Sequence, residues 1–150
     1  MNDRPVRVRL ASLARDSWQL RSGEDAHAAH PETFWIPPLR QREALRRGDG
    51  VKLVFDVEGV EEDGRVTIQG EKMWVIVAER RGDVYIGRLE NEPDLVPDDD
   101  TYLRRGAEIP FLPEHVVDIQ SPPAEYVAGR LAEPPTRRWP PGNRFDGLAT

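Results

Sequence analysis

The sequence predicts an α+β fold: a strongly bent antiparallel sheet resembling a small barrel, with one short helix packed on it. Apolar and polar residues alternate through positions 51–57, which is the pattern of a strand with one face in water. Residues 73–78 are apolar on both sides, and such a strand belongs in a sheet covered on both faces or in a small closed barrel. Gly87, in the middle of the returning strand 84–89, indicates a bulge or a tight bend.

A short helix is predicted over residues 37–47. Prolines at 37 and 38 suit the first turn of a helix, the residues after them are good helix formers, and Gly48 stands where a helix commonly ends. We expect Leu39, Ala44 and Leu45 to face the core, with the arginines of this segment on the outside.

Further short elements surround these. Residues 80–83 predict a hairpin turn, and Pro110 places the strand 108–111 at a sheet edge because proline cannot donate to the ladder. The remaining short segments are strands at 6–10 and 65–69, a strand or helical turn at 113–119, and one or two helical turns at 124–131.

The length of 150 residues suggests one domain with extensions. We divide the chain into an N-terminal extension (1–33), the α+β domain (34–120) and a proline-rich tail (121–150) that holds six prolines. Around Trp139 the tail combines prolines, arginines and a tryptophan, a composition that favours an extended left-handed helix. Two alternatives stay open: a solvated tail, or one that docks on its own domain or on another protein.

Charge narrows the classes of function. Residues 49–120 carry 18 acidic and eight basic side chains, which disfavours a nucleic-acid surface because phosphate contacts need clustered Lys and Arg. The chain has no cysteine, hence no disulfide or thiolate metal site, and no apolar run near the roughly 18 residues of a membrane span. With no signal-peptide pattern at the N-terminus, we expect a cytoplasmic protein.

Four segments in order resemble an uncharacterised bacterial family known as a domain of unknown function. They are FWIPPLR (34–40), GDGVKLVF (48–55), GEKMWVIV (70–77) with YIGRLENEP (85–93), and GAEIPFLPEHVVD (106–118). The pattern is G-D-x-V-K-L, then G-E-x-M-W-V, then G-x-L-x-N-x-P. The resemblance implies a small cytoplasmic protein and brings no catalytic residue with it.

The candidate binding residues are acidic or aromatic. Asp94, Asp98, Asp99 and Asp100 crowd one loop that could meet a basic partner, although a solvated acidic loop is the plainer interpretation. The aromatic candidates are Trp74, Tyr85 and Trp139.

Catalytic and metal chemistry find weaker support. His27, His30 and Glu32 have the residue types of a metal site, but we expect a loop there without a third fixed ligand. His115 is expected to bond a backbone group near the core edge. The spacing of a calcium loop is missing from the acidic loop, and we expect no cofactor and no metal.

The sequence therefore favours a non-catalytic cytoplasmic binding module. It would be a regulatory or immunity-type protein whose acidic face binds a protein partner of unknown identity. The alternative is a small enzyme or enzyme accessory with a site built from carboxylates and His115.

Overall fold

A long two-stranded ribbon forms the centre of the computed structural model, which describes residues 8–94 and 101–142. Strands β2 (Gly50–Val60) and β3 (Val66–Arg81) pair antiparallel in one unbroken register, from Gly50 opposite Ile76 to Val60 opposite Val66. Alternate residues of both strands point inward, so the predicted period-two pattern becomes the inner face of the sheet.

The ribbon is extended on both sides into one curled antiparallel sheet, a half-barrel in the order β1-β2-β3-β4-β5. Strand β1 (Trp18–Leu20) pairs with the middle of β2, and β6 (Asp118–Gln120) pairs with its start. On the other side, β4 (Val84–Leu89) pairs with β3, and β5 (Glu108–Phe111) pairs with β4. The predicted α+β class with a bent antiparallel sheet is confirmed.

The helices are short. They are α1 (Leu13–Asp16), α2 (Gly23–Ala29), α3 (Leu39–Glu43) and α4 (Ala124–Ala132), with a single 3-10 turn at Pro113–His115. Within the described ranges, none of the helices has the length and apolar character needed to cross a membrane.

β3 has an irregularity of the kind that bends a strand where it faces Gly87. The register of β3 and β4 shifts between Val77 and Glu79, so the irregularity expected at Gly87 lies in the strand opposite it. A Cβ added at Gly87 would lie 2.2 Å from Cγ1 of Val75 and 2.9 Å from the carbonyl oxygen of Ile76. Glycine therefore permits the close approach of the two strands at the bend.

The inner core draws on the whole described chain. Trp18, ahead of the predicted domain, and Trp139, after it, are both buried in the cluster that holds Phe55 and Phe111. The ring centroids of Trp18 and Trp139 lie 5.6 Å apart, and the ring of Tyr102 contacts both tryptophans. The boundaries at 34 and 120 stay a prediction, but residues on both sides of them supply core side chains. Two alternatives were open for the tail, and Trp139 follows the second, because it packs in the core of its own chain.

The second face of β3 is covered by α4. Ile76 and Ala78 form a smaller buried cluster with Val127 and Leu131 of that helix. This cover explains why residues 73–78 are apolar on both sides. The covering helix lies in the C-terminal part of the chain, beyond the predicted domain 34–120.

The predicted helix 37–47 needs a correction, because α3 spans only Leu39–Glu43. Leu39 is 49% exposed, whereas Arg42, expected outside, is 5% exposed. Its guanidinium donates to the carbonyl oxygens of Pro37 and Pro113 and to Glu24. Burial of a cation becomes tolerable when its donors are satisfied in this way. Of the expected core residues, Leu45 packs partly on the core and Ala44 is exposed.

Two smaller predictions also change. The strand predicted at 6–10 lies partly outside the described residues, and residues 8–10 form no strand. The predicted short strand at 65–69 is the beginning of β3.

Candidate functional site

The outer face of the ribbon carries an open groove, about 570 Å³ in volume, that we call the aromatic–lysine groove. The residues that define it are Phe34, Trp35, Lys52, Lys72, Asp118 and Ile119. Its floor is the start of β2 with its neighbours β3 and β6, and one wall is the segment before α3.

Strand register brings the two lysines together. Lys52 lies opposite Trp74 of β3 and opposite Asp118 of β6, while Lys72 lies opposite Val54. Lys52 and Lys72 are therefore diagonal neighbours on one face, about 7–8 Å apart at the backbone. They are the only lysines in the chain, against 19 arginines.

Each lysine rests over an aromatic ring. The Nζ atom of Lys52 lies 4.9 Å from the ring centroid of Trp74, and Nζ of Lys72 lies 5.5 Å from that of Phe34. Cation–π contacts of this kind contribute about 0.5–1 kcal/mol at exposed sites. Neither ammonium forms an ion pair with any carboxylate of the described residues. Both charges are therefore available to an anionic group.

The aromatic wall is held in place by local hydrogen bonds. Trp35 is 76% exposed, and its indole Nε1 donates to the carbonyl oxygen of Glu32 at 3.2 Å. The neighbouring Phe34 donates its N–H to the carbonyl of His30 and accepts a bond from Nδ1 of His27 at 2.6 Å. The exposed ring of Trp35 therefore belongs to a segment whose conformation is fixed by local hydrogen bonds.

The acidic candidates are only partly described. Asp94 is exposed, and its backbone N–H donates to Oε1 of Glu71 at 2.6 Å. Asp98, Asp99 and Asp100 lie outside the described residues.

The three aromatic candidates are not brought together. Trp74 is half-buried, its ring contacts Lys52 of the groove, and its backbone N–H donates to Oδ1 of Asn91. Tyr85 is buried, stacks on Phe111 and donates its hydroxyl to the carbonyl of Glu43. Trp139 lies in the core. Only Trp74 of the three therefore contributes to an accessible surface.

The histidines have structural surroundings. His115 is 6% exposed, and its Nδ1 accepts the N–H of Leu112 at 3.0 Å, as expected for a histidine that bonds a backbone group. Burial lowers its pKa to about 4, against a smaller opposing effect of the Glu24 carboxylate. Among the described residues no cluster of three or more His, Cys, Asp or Glu could hold a metal ion.

A second polar cleft, beside α4, is lined by arginine and glutamate side chains that pair with one another. Arg130 donates through Nε to Glu90 at 2.8 Å, and this hydrogen bond raises the pKa of Arg130. Arg88 donates to the backbone carbonyl oxygen of Glu133, and the carboxylate of Glu133 pairs with Arg130. These contacts fasten α4 to β4, so we assign the cleft a structural role.

Sequence reasoning did not identify Trp35, Lys52 and Lys72 as a site. A signal was present: one lysine of this arginine-rich chain lies in the predicted strand 51–57 and the other in the segment GEKMWVIV (70–77). What could not be read from the sequence is the register that places them diagonally on one face.

Comparison of the chain with models of protein families, with curated proteins and with solved structures finds no match. The resemblance described above therefore stays a prediction.

Proposed function

We propose that this protein is a non-catalytic binding module and that it receives a protein partner in the aromatic–lysine groove. The observation that carries the proposal is Trp35, a tryptophan 76% exposed beside an open groove. Tryptophan is among the residues most enriched at the energetic centre of protein interfaces. An indole left in water next to a concave surface is typical of such an anchor.

The geometry of the wall supports this function. The hydrogen bonds of Trp35, Phe34 and His27 hold the aromatic segment before a partner arrives. A side chain fixed in advance loses less conformational entropy on binding, which favours affinity. The regulatory or immunity-type role and the cytoplasmic location remain parts of the proposal.

The enzyme alternative draws less support. His115 is buried, its Nδ1 already accepts a backbone N–H, and its Nε2 lies 3.9 Å from the Glu114 carboxylate. A general base needs to reach a proton on bound substrate.

Affinity capture from the native lysate tests the proposal, with the tagged full-length chain as bait and mass spectrometry as the readout. We expect one protein to be recovered in near-equal amount with the unaltered chain and to be lost with Trp35→Ala. The matched control is Leu39→Ala, which truncates another exposed apolar side chain that does not line the groove. Trp35 makes one side-chain hydrogen bond, so circular dichroism should show both variants folded.

The acidic loop provides a second arm of the same experiment. Reversing the charges of Asp98, Asp99 and Asp100 to lysine should weaken a complex that forms on an acidic face. Loss of the partner with this variant alone would move the contact from the groove to the loop. Recovery of no stoichiometric partner by the unaltered chain would contradict the binding-module proposal itself.

A further inference from the structure

The groove continues into an exposed apolar surface along the same ribbon. Residues directly opposite each other on paired strands share a face, and so do residues two positions apart. The pairs Lys52–Trp74, Glu58–Ile68 and Val60–Val66 are all in register and an even number of positions apart. One face of the ribbon thus leads from the two lysines to an apolar tip.

The apolar side chains at this tip are exposed to solvent. Ile68 is 55% exposed, Val66 58% and Val60 71%. β-branched residues that a hairpin leaves in water form a surface suited to a partner. From Trp74 to Val66 the face is about 27 Å long, which matches about eight residues of an extended chain.

Charges divide this face into zones. At one end stand the two ammoniums without carboxylate partners among the described residues. In the middle, the guanidinium of Arg21 crosses above Gly70 and pairs with Asp56, so this charge is already satisfied. Towards the tip, Glu58 lies opposite Ile68 and adds a negative charge. Asp118 also lines the lysine end, opposite Lys52, so two ammoniums and one carboxylate leave that end positive. An anionic partner group is therefore attracted there and repelled near Glu58.

We propose that the partner presents an acidic, extended peptide segment, with carboxylates at Lys52 and Lys72 and apolar side chains along the ribbon towards Val60. This inference rests on the proposed binding function and names the chemistry of its partner. Because the chain carries a formal net charge of −6, an acidic segment is repelled by much of the surface and attracted at the groove. This difference between attraction at the groove and repulsion elsewhere places the acidic end of the segment at the two lysines.

A peptide fits this surface better than a nucleic acid does. Single strands also use aromatic rings and cations, but they track a positively charged groove along the backbone. Here only two lysines contribute, and the surface beyond them carries the paired Arg21 and Asp56, then Glu58 beside Ile68, and ends in the apolar tip. Carboxylates at one end of an otherwise apolar segment match that order.

The test is a selection of random peptides of about 12 residues, displayed on phage, on the immobilised full-length protein. We expect the recovered peptides to be enriched in Asp and Glu beside apolar residues. A recovered peptide is then labelled with fluorescein, and its dissociation constant is measured by fluorescence anisotropy. The double variant Lys52→Glu with Lys72→Glu should weaken binding at least about tenfold.

Two further variants sharpen the result. The control variant, Arg15→Glu with Arg46→Glu, makes the same change in net charge at exposed positions outside the groove and should bind within about twofold of the unaltered chain. Val66→Asp, at the tip, should weaken binding at least about threefold, because the segment extends along the ribbon. No effect of Val66→Asp would overturn that extension.

Three other outcomes would overturn the inference. Recovery of Arg- and Lys-rich peptides that ignore the lysine reversal would place binding on the acidic surface and leave the binding-module proposal intact. Oligothymidine that binds at Lys52 and Lys72 more tightly than the selected peptides would identify a nucleic-acid site. If no peptide is enriched over the lysine-reversed protein, the groove is no peptide site, and the capture experiment decides the binding function separately.

Discussion

Acidification should destabilise this protein through one buried histidine. Burial holds the pKa of His115 at about 4, below its ordinary value of 6.5, so the unfolded chain takes up a proton that the folded chain refuses. A depressed histidine pKa contributes stability that is fully present above about pH 6.5 and is lost as the pH falls towards 4. At about 1.4 kcal/mol for each pH unit, the whole contribution is about 3 kcal/mol, and about 2 kcal/mol disappears between pH 7 and pH 5.

Urea denaturation at pH 7 and pH 5, followed by tryptophan fluorescence, measures this loss. His115→Asn removes the titration but keeps an oxygen that can accept the Leu112 N–H, now bonded to Nδ1 at 3.0 Å. We expect the free energy of unfolding of the variant to fall by about 2 kcal/mol less than that of the unaltered chain between the two pH values. The matched control is His30→Asn, which removes an exposed imidazole at the end of α2. Equal pH dependence of the unaltered chain and His115→Asn would refute the reasoning.

Three further substitutions test the packing, each measured as a change in the free energy of unfolding in urea. Gly87→Ala should destabilise by about 1–3 kcal/mol, because its Cβ would lie 2.2 Å from Cγ1 of Val75; an unchanged midpoint would show that the bend can relax. Gly129→Ala, within α4, should instead stabilise by about 0.5–1 kcal/mol, since its Cβ would meet no described heavy atom within 4 Å; a loss of stability would contradict the assigned helix. Trp139→Ala should cost about 3–5 kcal/mol because the ring is 3% exposed, and a cost below about 1 kcal/mol would mean that the tail does not dock.

Local patterns predicted the strands of the sheet well. Alternation at 51–57 and the doubly apolar run at 73–78 became β2 and β3, because the pleat places alternate side chains on opposite faces wherever one face is buried. The bend near Gly87 also follows from a local rule, as glycine is what a close approach of strands requires. These features depend on residues near each other in the chain.

Features that depend on distant contacts could not be predicted. The helix pattern at 37–47 predicted Leu39 as a core residue, but the structure buries Arg42 instead. The guanidinium of Arg42 donates to the carbonyl oxygens of Pro37 and Pro113 and to the carboxylate of Glu24. The sequence contains no sign that these three groups meet. Asn91 is a similar case, because its side-chain oxygen accepts the backbone N–H of Trp74 in the neighbouring strand.

For the candidate site, the sequence supplied residue types but not their grouping. It singled out Trp74, whose ring lies beneath Lys52 of the groove, together with Tyr85 and Trp139, which are buried in the core. Burial of an aromatic ring is decided by what packs over it, and that information lies in the topology. Trp35 was part of a quoted motif, yet only the structure shows that its ring faces water.

The bond between the indole of Trp139 and the carbonyl oxygen of Arg9 spans 130 residues, and it has a consequence for biosynthesis. At roughly 5–20 residues per second, a ribosome adds Trp139 about 7–26 s after Arg9. Throughout that interval Trp18 lacks the ring that covers it, and Ile76 waits for Leu131 of the equally late α4. The nascent chain therefore exposes apolar surface until α4 and Trp139 have been synthesised, and during that time this surface is open to contacts with other molecules.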